Sequence, residues 1–232
     1  MARQFLAAST RVLELNIGTT DMPHGNAYPF TFHSWAYPEA AISAIMFGTY
    51  DTVNTTAPGA RIQQTSGNLL QATFRDRNPT TNAAAQTSNS ISQNAWNGYT
   101  VMFEGDANRT VFLNGGGKVN NTTSAPNGPM AHNYIAVGCS KYSAGNLSPF
   151  TGRIAEGAMW NAALNDDEVN ALGKRVNPGR IRPSNLIVHY PLIGKSSSDG
   201  EHNLAKGGST FNLSAVNTPG IADHAPVSPL FF

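Results

Sequence analysis

The stretch FTGRIAEGAMWNAALNDDEVNAL (150–172) joins a glycine-led apolar strand to an aromatic-Asn break and then to the one well-signalled helix start in the chain. Asn165 is a good N-cap and Glu168, three residues on, completes a capping box: the Asn165 side chain accepts from a first-turn N–H while Glu168 reaches back. Leu164 and Val169 fall at the two hydrophobic-staple positions. Asp166 and Asp167 put negative charge at the positive end of the helix dipole, Lys174 and Arg175 put positive charge at the other, and Pro178 closes the segment. With only Val169 and Leu172 on its apolar face, a helix near 165–175 would be about ten residues long and marginal alone, since isolated helices below roughly 12–15 residues barely form in water. The expectation is a helix that caps an open end of a larger β structure.

Outward from this stretch, short runs of alternating apolar and polar residues bounded by Gly, Pro, Asn or Asp recur, the pattern of half-buried strands in a sandwich or barrel. RVLELNI (11–17), PFTFHSWAYP (29–38), AISAIMFGTY (41–50), GNLLQATFRD (67–76), GYTVMFEG (98–105), RTVFLNG (109–115), NYIAVG (133–138), GRIAEGAMW (152–160), LIVHYPL (186–192) and STFNLSAV (209–216) all read this way. Asp-Ala-Asn between GYTVMFEG and RTVFLNG has hairpin length, and Asn114-Gly115 is a type I′ turn signal, so consecutive strands should pair antiparallel. The polar stretches 75–95 and 115–133 are too long and too polar for core and are expected as loops at the sheet edges.

Composition bounds the function. The 232 residues allow a substantial core. Charged residues make up 12%, against roughly 25% in an average soluble domain, which favours turns and polar β-faces over charged helices. A net charge of +1 leaves no basic footprint, so neither nucleic acid nor an anionic membrane is an expected partner. Cys139 is the single cysteine; VGCSK offers a thiolate one lysine at best, and the residue reads as inert core. The opening residues show no apolar run of signal-peptide length, and the expectation is synthesis in a host cytoplasm without Sec export.

The opening stretch resembles the closing signature of the laminin-G-like, or concanavalin A-like, jelly roll: a Gly-x-Ile strand, an aromatic-Asn break, a Leu and a short acidic-capped helix. FTFHSWAYP (30–38) is similar to that family's early Phe-Thr-x-x-x-Trp strand, WNGYTVMFEGDANRTVFLNG (96–115) to its Trp-led strand and hairpin, IAVGCS (135–140) to its Ile-Gly strand, and ARQFLAASTRVLELN (2–16) to its first edge strand. The resemblance implies an all-β, two-sheet antiparallel jelly-roll sandwich occupying 1–232 as a single domain. Three positions depart from the family pattern: Ala155 where an acid is frequent, Gly157 where an apolar residue is, and Asn114 in place of the hairpin Asp. Each lost carboxylate weakens a calcium site, because Ca²⁺ takes six to eight oxygens; no cofactor and no metal ligand are expected. LIVHYPLIG and DGEHNLAKGGSTFNLSAV (186–216) resemble the family's Tyr-x-Leu and Asp-Gly-x-x-Asn opening segment, yet follow the helix. Residues 186–232 are therefore expected to return a strand and a tail to the same sandwich.

Catalytic chemistry finds little footing. A retaining glycosidase needs two carboxylates about 5–5.5 Å apart, and only Glu104 and Asp106 come near, at a hairpin turn where Asp and Gly serve the backbone. The histidines lack zinc spacing, and His33 reads as a satisfied half-buried strand residue. No catalytic residue is assigned. Tyr142 in CSKYSAGNLSPF is the best-placed aromatic for stacking on a sugar, with Asn146, Asn120 and Asn121 as hydrogen-bonding partners. The resemblance and the lack of an export signal lead to an expectation of a non-enzymatic structural or adhesive protein of a bacteriophage virion. It would decorate the head or tail in many copies, contact other capsid or tail proteins, and bind cell-surface glycans weakly. The alternatives are a free-standing carbohydrate-binding module and a degenerate glycoside hydrolase.

Overall fold

The computed structural model describes residues 2–7, 11–18, 22, 27–52, 59–75, 82–124, 132–142, 145–194, 196, 198–206 and 208–228. In chain order the strands are β1 (Ala2–Phe5), β2 (Val12–Asn16), β3 (Phe30–Pro38), β4 (Ala44–Tyr50), β5 (Gly59–Gln64), β6 (Leu69–Arg75), β7 (Asn82–Ser90), β8 (Asn97–Gly105), β9 (Asn108–Leu113), β10 (Gly116–Asn121), β11 (Tyr134–Val137), β12 (Ser140–Tyr142), β13 (Gly145–Leu147), β14 (Gly152–Trp160), β15 (Leu186–Tyr190), β16 (Ser214–Val216) and β17 (Gly220–Ala222), with helix α1 (Asp166–Gly173) between β14 and β15. They form an antiparallel two-sheet jelly-roll sandwich. The eight-stranded sheet runs β10-β9-β8-β3-β14-β1-β17, with β15 also on β14; the seven-stranded sheet runs β16-β2-β11-β4-β5-β6-β7, and β12 and β13 make a small hairpin.

Alternation along each strand builds the core between the sheets. Phe30 and Phe32 of β3, Val101 and Phe103 of β8, Phe47 of β4, Ile62 of β5 and Phe74 of β6 face inward and are all fully buried. Phe30 and Phe103 stack with centroids 4.9 Å apart. Burial of this kind stabilises by about 25 cal/mol per Å² of apolar surface and holds the two sheets in register.

The helix sits elsewhere than expected. It roofs the outward face of the eight-stranded sheet instead of plugging an end: Val169, Leu172 and the staple residue Leu164 pack with Met102 of β8, Phe112 of β9, and Ala158 and Trp160 of β14. Those outward side chains are themselves apolar, so the face needs a cover, and two buried helical residues suffice to dock one. The capping box is complete, with Asn165 Oδ1 accepting from the Glu168 N–H at 2.9 Å and Glu168 Oε2 accepting from the Asn165 N–H at 2.8 Å. Glu168 also takes Arg182 through Nε and Nη2 at 2.8 and 2.7 Å. Farther along, Ala225 and the half-buried Val227 cover Trp35, Ala2 and Ala155.

Two expected loops are strands in part. Residues 82–90 pair with β6, and 116–121 pair with β9. Both are outermost in their sheets, where one side of a strand needs no apolar content and small polar residues suffice once the backbone is paired. Residues 76–81 and 125–131 of those stretches lie outside the described residues. Asn114-Gly115 turns between β9 and β10 with φ of 55° and 76°, the left-handed pair that a type I′ turn requires.

The roof also changes the reading of His33. It is fully buried, not half-buried, with Nδ1 2.9 Å from Thr100 Oγ1. Ala158 of β14 pairs with both His33 and His189, and His189 Nε2 lies 2.6 Å from Glu156 Oε2, whose other oxygen is 3.4 Å from His224 Nε2. Burial first, then His189, holds the His33 imidazole pKa down to about 3 from 6.5.

Two predictions follow from this packing. A Cβ on Gly173 would fall 2.4 Å from the Asn114 carbonyl oxygen, while one on Gly116 would meet nothing within 4 Å. Gly173→Ala should therefore destabilise by about 1–3 kcal/mol in urea unfolding through overpacking, and Gly116→Ala should be close to neutral. For His33, the unfolded chain takes up a proton below pH 6.5 that the folded chain refuses until about 3. Stability is thus intact above pH 6.5 and falls as pH drops through that window, by up to a few kcal/mol. The urea midpoint of His33→Gln should fall less between pH 7 and pH 4.5 than that of the parent protein.

Candidate functional site

With one outward face roofed, the outward face of the seven-stranded sheet becomes the candidate platform. Its side chains stand in cross-strand rows. One row runs Glu14, Ala136, Gly48, Arg61, Thr73 across β2, β11, β4, β5 and β6. A second runs Ile45, Gln63, Gln71, Gln86 across β4, β5, β6 and β7.

The β12–β13 hairpin lies against this face over β4 and β11. Ser148 accepts from the Ile45 N–H at 3.0 Å, and Cys139 packs with Val12, Ile45, Tyr50, Tyr134 and Ala136. Lys141 fastens it: Nζ donates to Glu14 Oε2 at 2.9 Å and stands 5.2 Å from the centre of the Tyr134 ring, while the Tyr134 hydroxyl donates to Glu14 Oε1 at 2.9 Å. Burial and the hydrogen bond to Glu14 both push the Tyr134 phenol pKa upward. The one carboxylate in this arrangement is thereby engaged by both a lysine and a phenol.

Beyond the hairpin the second row continues as an amide ladder. Gln71 Nε2 donates to Gln86 Oε1 at 2.6 Å, Gln63 Nε2 donates to Ser43 Oγ at 3.2 Å, and Thr73 Oγ1 donates to Gln63 Oε1 at 3.3 Å. Gln63 and Gln71 are half-exposed and Gln86 is exposed. Nothing in the linear sequence singled these residues out. Each lies in an ordinary strand run, IQQ, LLQATF or AAQTS, and only strand register aligns them.

The four sugar-binding candidates fall into two places. Tyr142 and Asn146 occupy the two strands of the hairpin, in the registers Tyr142–Gly145 and Lys141–Asn146; their side chains lie outside the described residues. Asn120 and Asn121 stand on β10, the edge of the other sheet, which packs beside β7. There the Thr110 hydroxyl bridges Asn120 Oδ1 and Glu104 Oε2, and Asn121 Oδ1 accepts from the Thr123 N–H at 2.8 Å. Tyr142 and Asn146 thus share the hairpin but sit at adjacent registers, and Asn120 and Asn121 are consecutive on β10, so strand alternation puts the members of each pair on opposite faces. The amide ladder runs from the neighbourhood of the first pair toward the edge that holds the second. Glu104 and Asp106 are exposed at the β8–β9 turn. Among the described residues no group of three His, Cys, Asp or Glu side chains converges to hold a metal ion.

A two-sheet antiparallel sandwich of this topology is the lectin-like fold, and on the outward face of its seven-stranded sheet the solvent-reaching amides are those of the second row toward β7. The chain belongs to the concanavalin A-like lectin/glucanase superfamily, whose laminin G-type model matches residues 15–170. Among solved structures it is similar to a putative carbohydrate-binding protein from Bacteroides ovatus, at 12% identity and a TM-score of 0.60 over 92% of this chain and 57% of that one. The native heptameric SAP-like pentraxin of Limulus polyphemus matches at 14% identity and a TM-score of 0.55, over 74% of this chain and 81% of the other. The sialidase CBM40 domain of Ruminococcus gnavus, solved with α2,3-sialyllactose, matches at 14% identity and 0.54 over 75% and 98%. These likenesses show the fold alone. No curated protein sequence matches the chain.

Cys139 reports on the hairpin. It is fully buried, and burial first, then Glu14, pushes its thiol pKa up to about 12 from 9.0. At pH 8 the thiolate should be about a thousandfold scarcer than for a free thiol. Iodoacetamide should leave the native protein unmodified by mass spectrometry and label it fully in guanidinium; rapid native labelling would show that the hairpin opens.

Proposed function

We propose that this sandwich is a non-enzymatic glycan-binding domain that meets its ligand on the outward face of the seven-stranded sheet, beside the β12–β13 hairpin. One observation carries the reading: this face presents a row of uncharged amides, and an amide offers the paired donor and acceptor that sugar hydroxyls require. On this reading Tyr142 would serve as the aromatic platform and Asn146 as a further amide of the same hairpin. Asn120 and Asn121 stand at the far end of the row. The likeness to a sialidase CBM40 domain solved with a bound sialyllactose and to a putative carbohydrate-binding protein supports the same class of ligand. Hydrolysis is left out because Glu14 is neutralised by Lys141 and Tyr134, and Glu104 and Asp106 serve a turn.

The finer reading places the domain on the surface of a bacteriophage virion, in many copies and in contact with capsid or tail proteins. Its support is the low content of charged residues, which suits weak contacts made strong by repetition. Mass spectrometry of purified particles tests that part; its absence from them would remove it. For glycan binding, the purified protein is applied to a glycan array and its best ligand titrated against Tyr142→Ala. Binding should weaken at least about tenfold, given that a stacked ring and its hydrogen bonds are worth more than 1.4 kcal/mol, with the melting temperature unchanged. An array without a single bound glycan would overturn the proposal.

A further inference from the structure

We infer that the row Gln63, Gln71, Gln86 is a binding site for an extended, uncharged polysaccharide that lies across β5, β6 and β7 with one amide to each sugar ring; this rests on the glycan-binding reading above. Three observations carry it. The first is register. Gln63 pairs with Gln71 and Gln71 with Gln86, so the three amides stand on one line perpendicular to the strands. Neighbouring strands lie about 4.7–4.9 Å apart, roughly the advance per ring of an extended pyranose chain. A curled or strongly helical glycan would leave such a line after one ring.

The second is pre-organisation with valence to spare. The Gln71 amide is fixed by its 2.6 Å bond to Gln86, and Gln63 is held between Ser43 and Thr73. Each of these bonds uses one donor or acceptor of an amide that has two donors and two lone pairs. The second N–H of Gln71 and its own carbonyl oxygen remain for a ligand, as do both N–H groups of Gln86 and one N–H of Gln63. Because the side chains are already ordered, a sugar binding there loses less conformational entropy than it would on free glutamines.

The third is charge and direction. The row itself carries no charge; Arg61 in the neighbouring row is buried, and Lys141 of the hairpin is spent on Glu14. Among the described residues an acidic polysaccharide finds no exposed counter-charge along the line. The row ends on the hairpin side at Ile45, which packs with Cys139 beneath the hairpin. The hairpin therefore acts as a wall against which the first ring rests, and the chain extends from it toward β7.

The test is isothermal titration of the full chain with neutral β-1,4-linked gluco- and manno-oligosaccharides of one to six rings, and with oligogalacturonate as the charged counterpart. Affinity for one neutral series should rise with length to at least three rings and exceed that for oligogalacturonate. Gln71→Ala should lower affinity for the longer oligomers about tenfold, the loss expected for one or two hydrogen bonds, and leave that for a single ring and the melting temperature unchanged. Gln71→Asn, which keeps the amide on a shorter stem, should recover part of the loss. A bound neutral oligomer indifferent to Gln71→Ala, affinity that does not grow with length, or preference for oligogalacturonate would overturn this inference while the glycan-binding reading stands. Failure of every glycan on the array and in titration would overturn both.

Discussion

The ion pair between Arg3 and Glu201 ties the first strand to the last quarter of the chain, and the rest of the sandwich depends on that tie. Strand β14 is shared along one side by two partners, β1 against Gly152–Ile154 and β15 against Gly157–Trp160, so the N-terminal strand and the returning strand meet end to end. Arg3 stands at that junction without solvent exposure. Its Nε donates to Glu201 Oε1 at 2.5 Å, and its other nitrogens donate to the carbonyls of Asp199 at 2.5 Å and Ser196 at 2.7 Å. Glu201 in turn accepts from the Gly194 and Ile193 N–H groups. A Cβ at Gly194 would lie 1.9 Å from the guanidinium, which explains the glycine. Charges this deep are tolerated only when fully bonded, and loss of one partner of such a pair typically costs about 3–5 kcal/mol.

The tie gives physical meaning to a segment whose order in the chain is unusual. Tyr190 donates to the Phe211 carbonyl at 2.5 Å, Asp199 and Gly200 present carbonyls to Arg3, and Asn203 accepts from the His189 N–H at 2.8 Å. These are the residues that matched the Tyr-x-Leu and Asp-Gly-x-x-Asn pattern: Asp199 and Gly200 bond the return to β1, while Tyr190 and Asn203 fold it against its own strand β15. The segment then supplies β16 to one sheet and β17 to the other, crossing between them at Asn217 and Thr218, both at positive φ. His224 follows, reaching the Pro191 carbonyl at 2.9 Å and Glu156 at 3.4 Å, and so the tail is drawn over the outward face that α1 already roofs in part. The roof is thus built from two remote pieces of sequence, and on the opposite face the amides that reach solvent lie toward β7.

What was legible in the sequence was what local geometry determines. The capping box at Asn165 and Glu168, the Asn114-Gly115 turn and the inward alternation of FTFHSWAYP depend on residues a few positions apart, and all three stand in the structure as read. The misplacements have a common cause in longer-range packing. A helix with two apolar residues does not reveal whether it faces an end or a sheet, because the answer lies in Met102, Phe112 and Trp160 on three other strands. His33 looked half-buried because a strand in isolation has an outer face; the roof removed it. Residues 82–90 looked like loop because polarity was taken to oppose pairing, whereas an edge strand needs backbone partners and little else. Tyr142 and Asn146 stand four positions apart in one stretch of sequence, but the glutamines of the amide ladder are 8 and 15 residues apart and become neighbours only through the β5–β6 and β6–β7 registers.

The chemistry of the open face also sets the strength of what it can hold. Amides exchange water hydrogen bonds for sugar hydrogen bonds at a net gain of only about 0.5–1.5 kcal/mol each, and the rings of Tyr50 and Tyr134 on this face are buried and offer no platform. On the reading proposed above, a glycan on such a surface would be recognised by the spacing of many weak contacts more than by any single strong one. Discrimination then resides in register: a ring offset by half its length places hydroxyls between strands and loses every amide at once. Affinity, by contrast, grows by adding rings along one chain or by adding copies of the domain on one support, where linked sites can exceed single-site binding by roughly 10²–10⁴. A rigid sandwich suits that mode, because the pairing of β5, β6 and β7 fixes the Cα positions from which the three amides project.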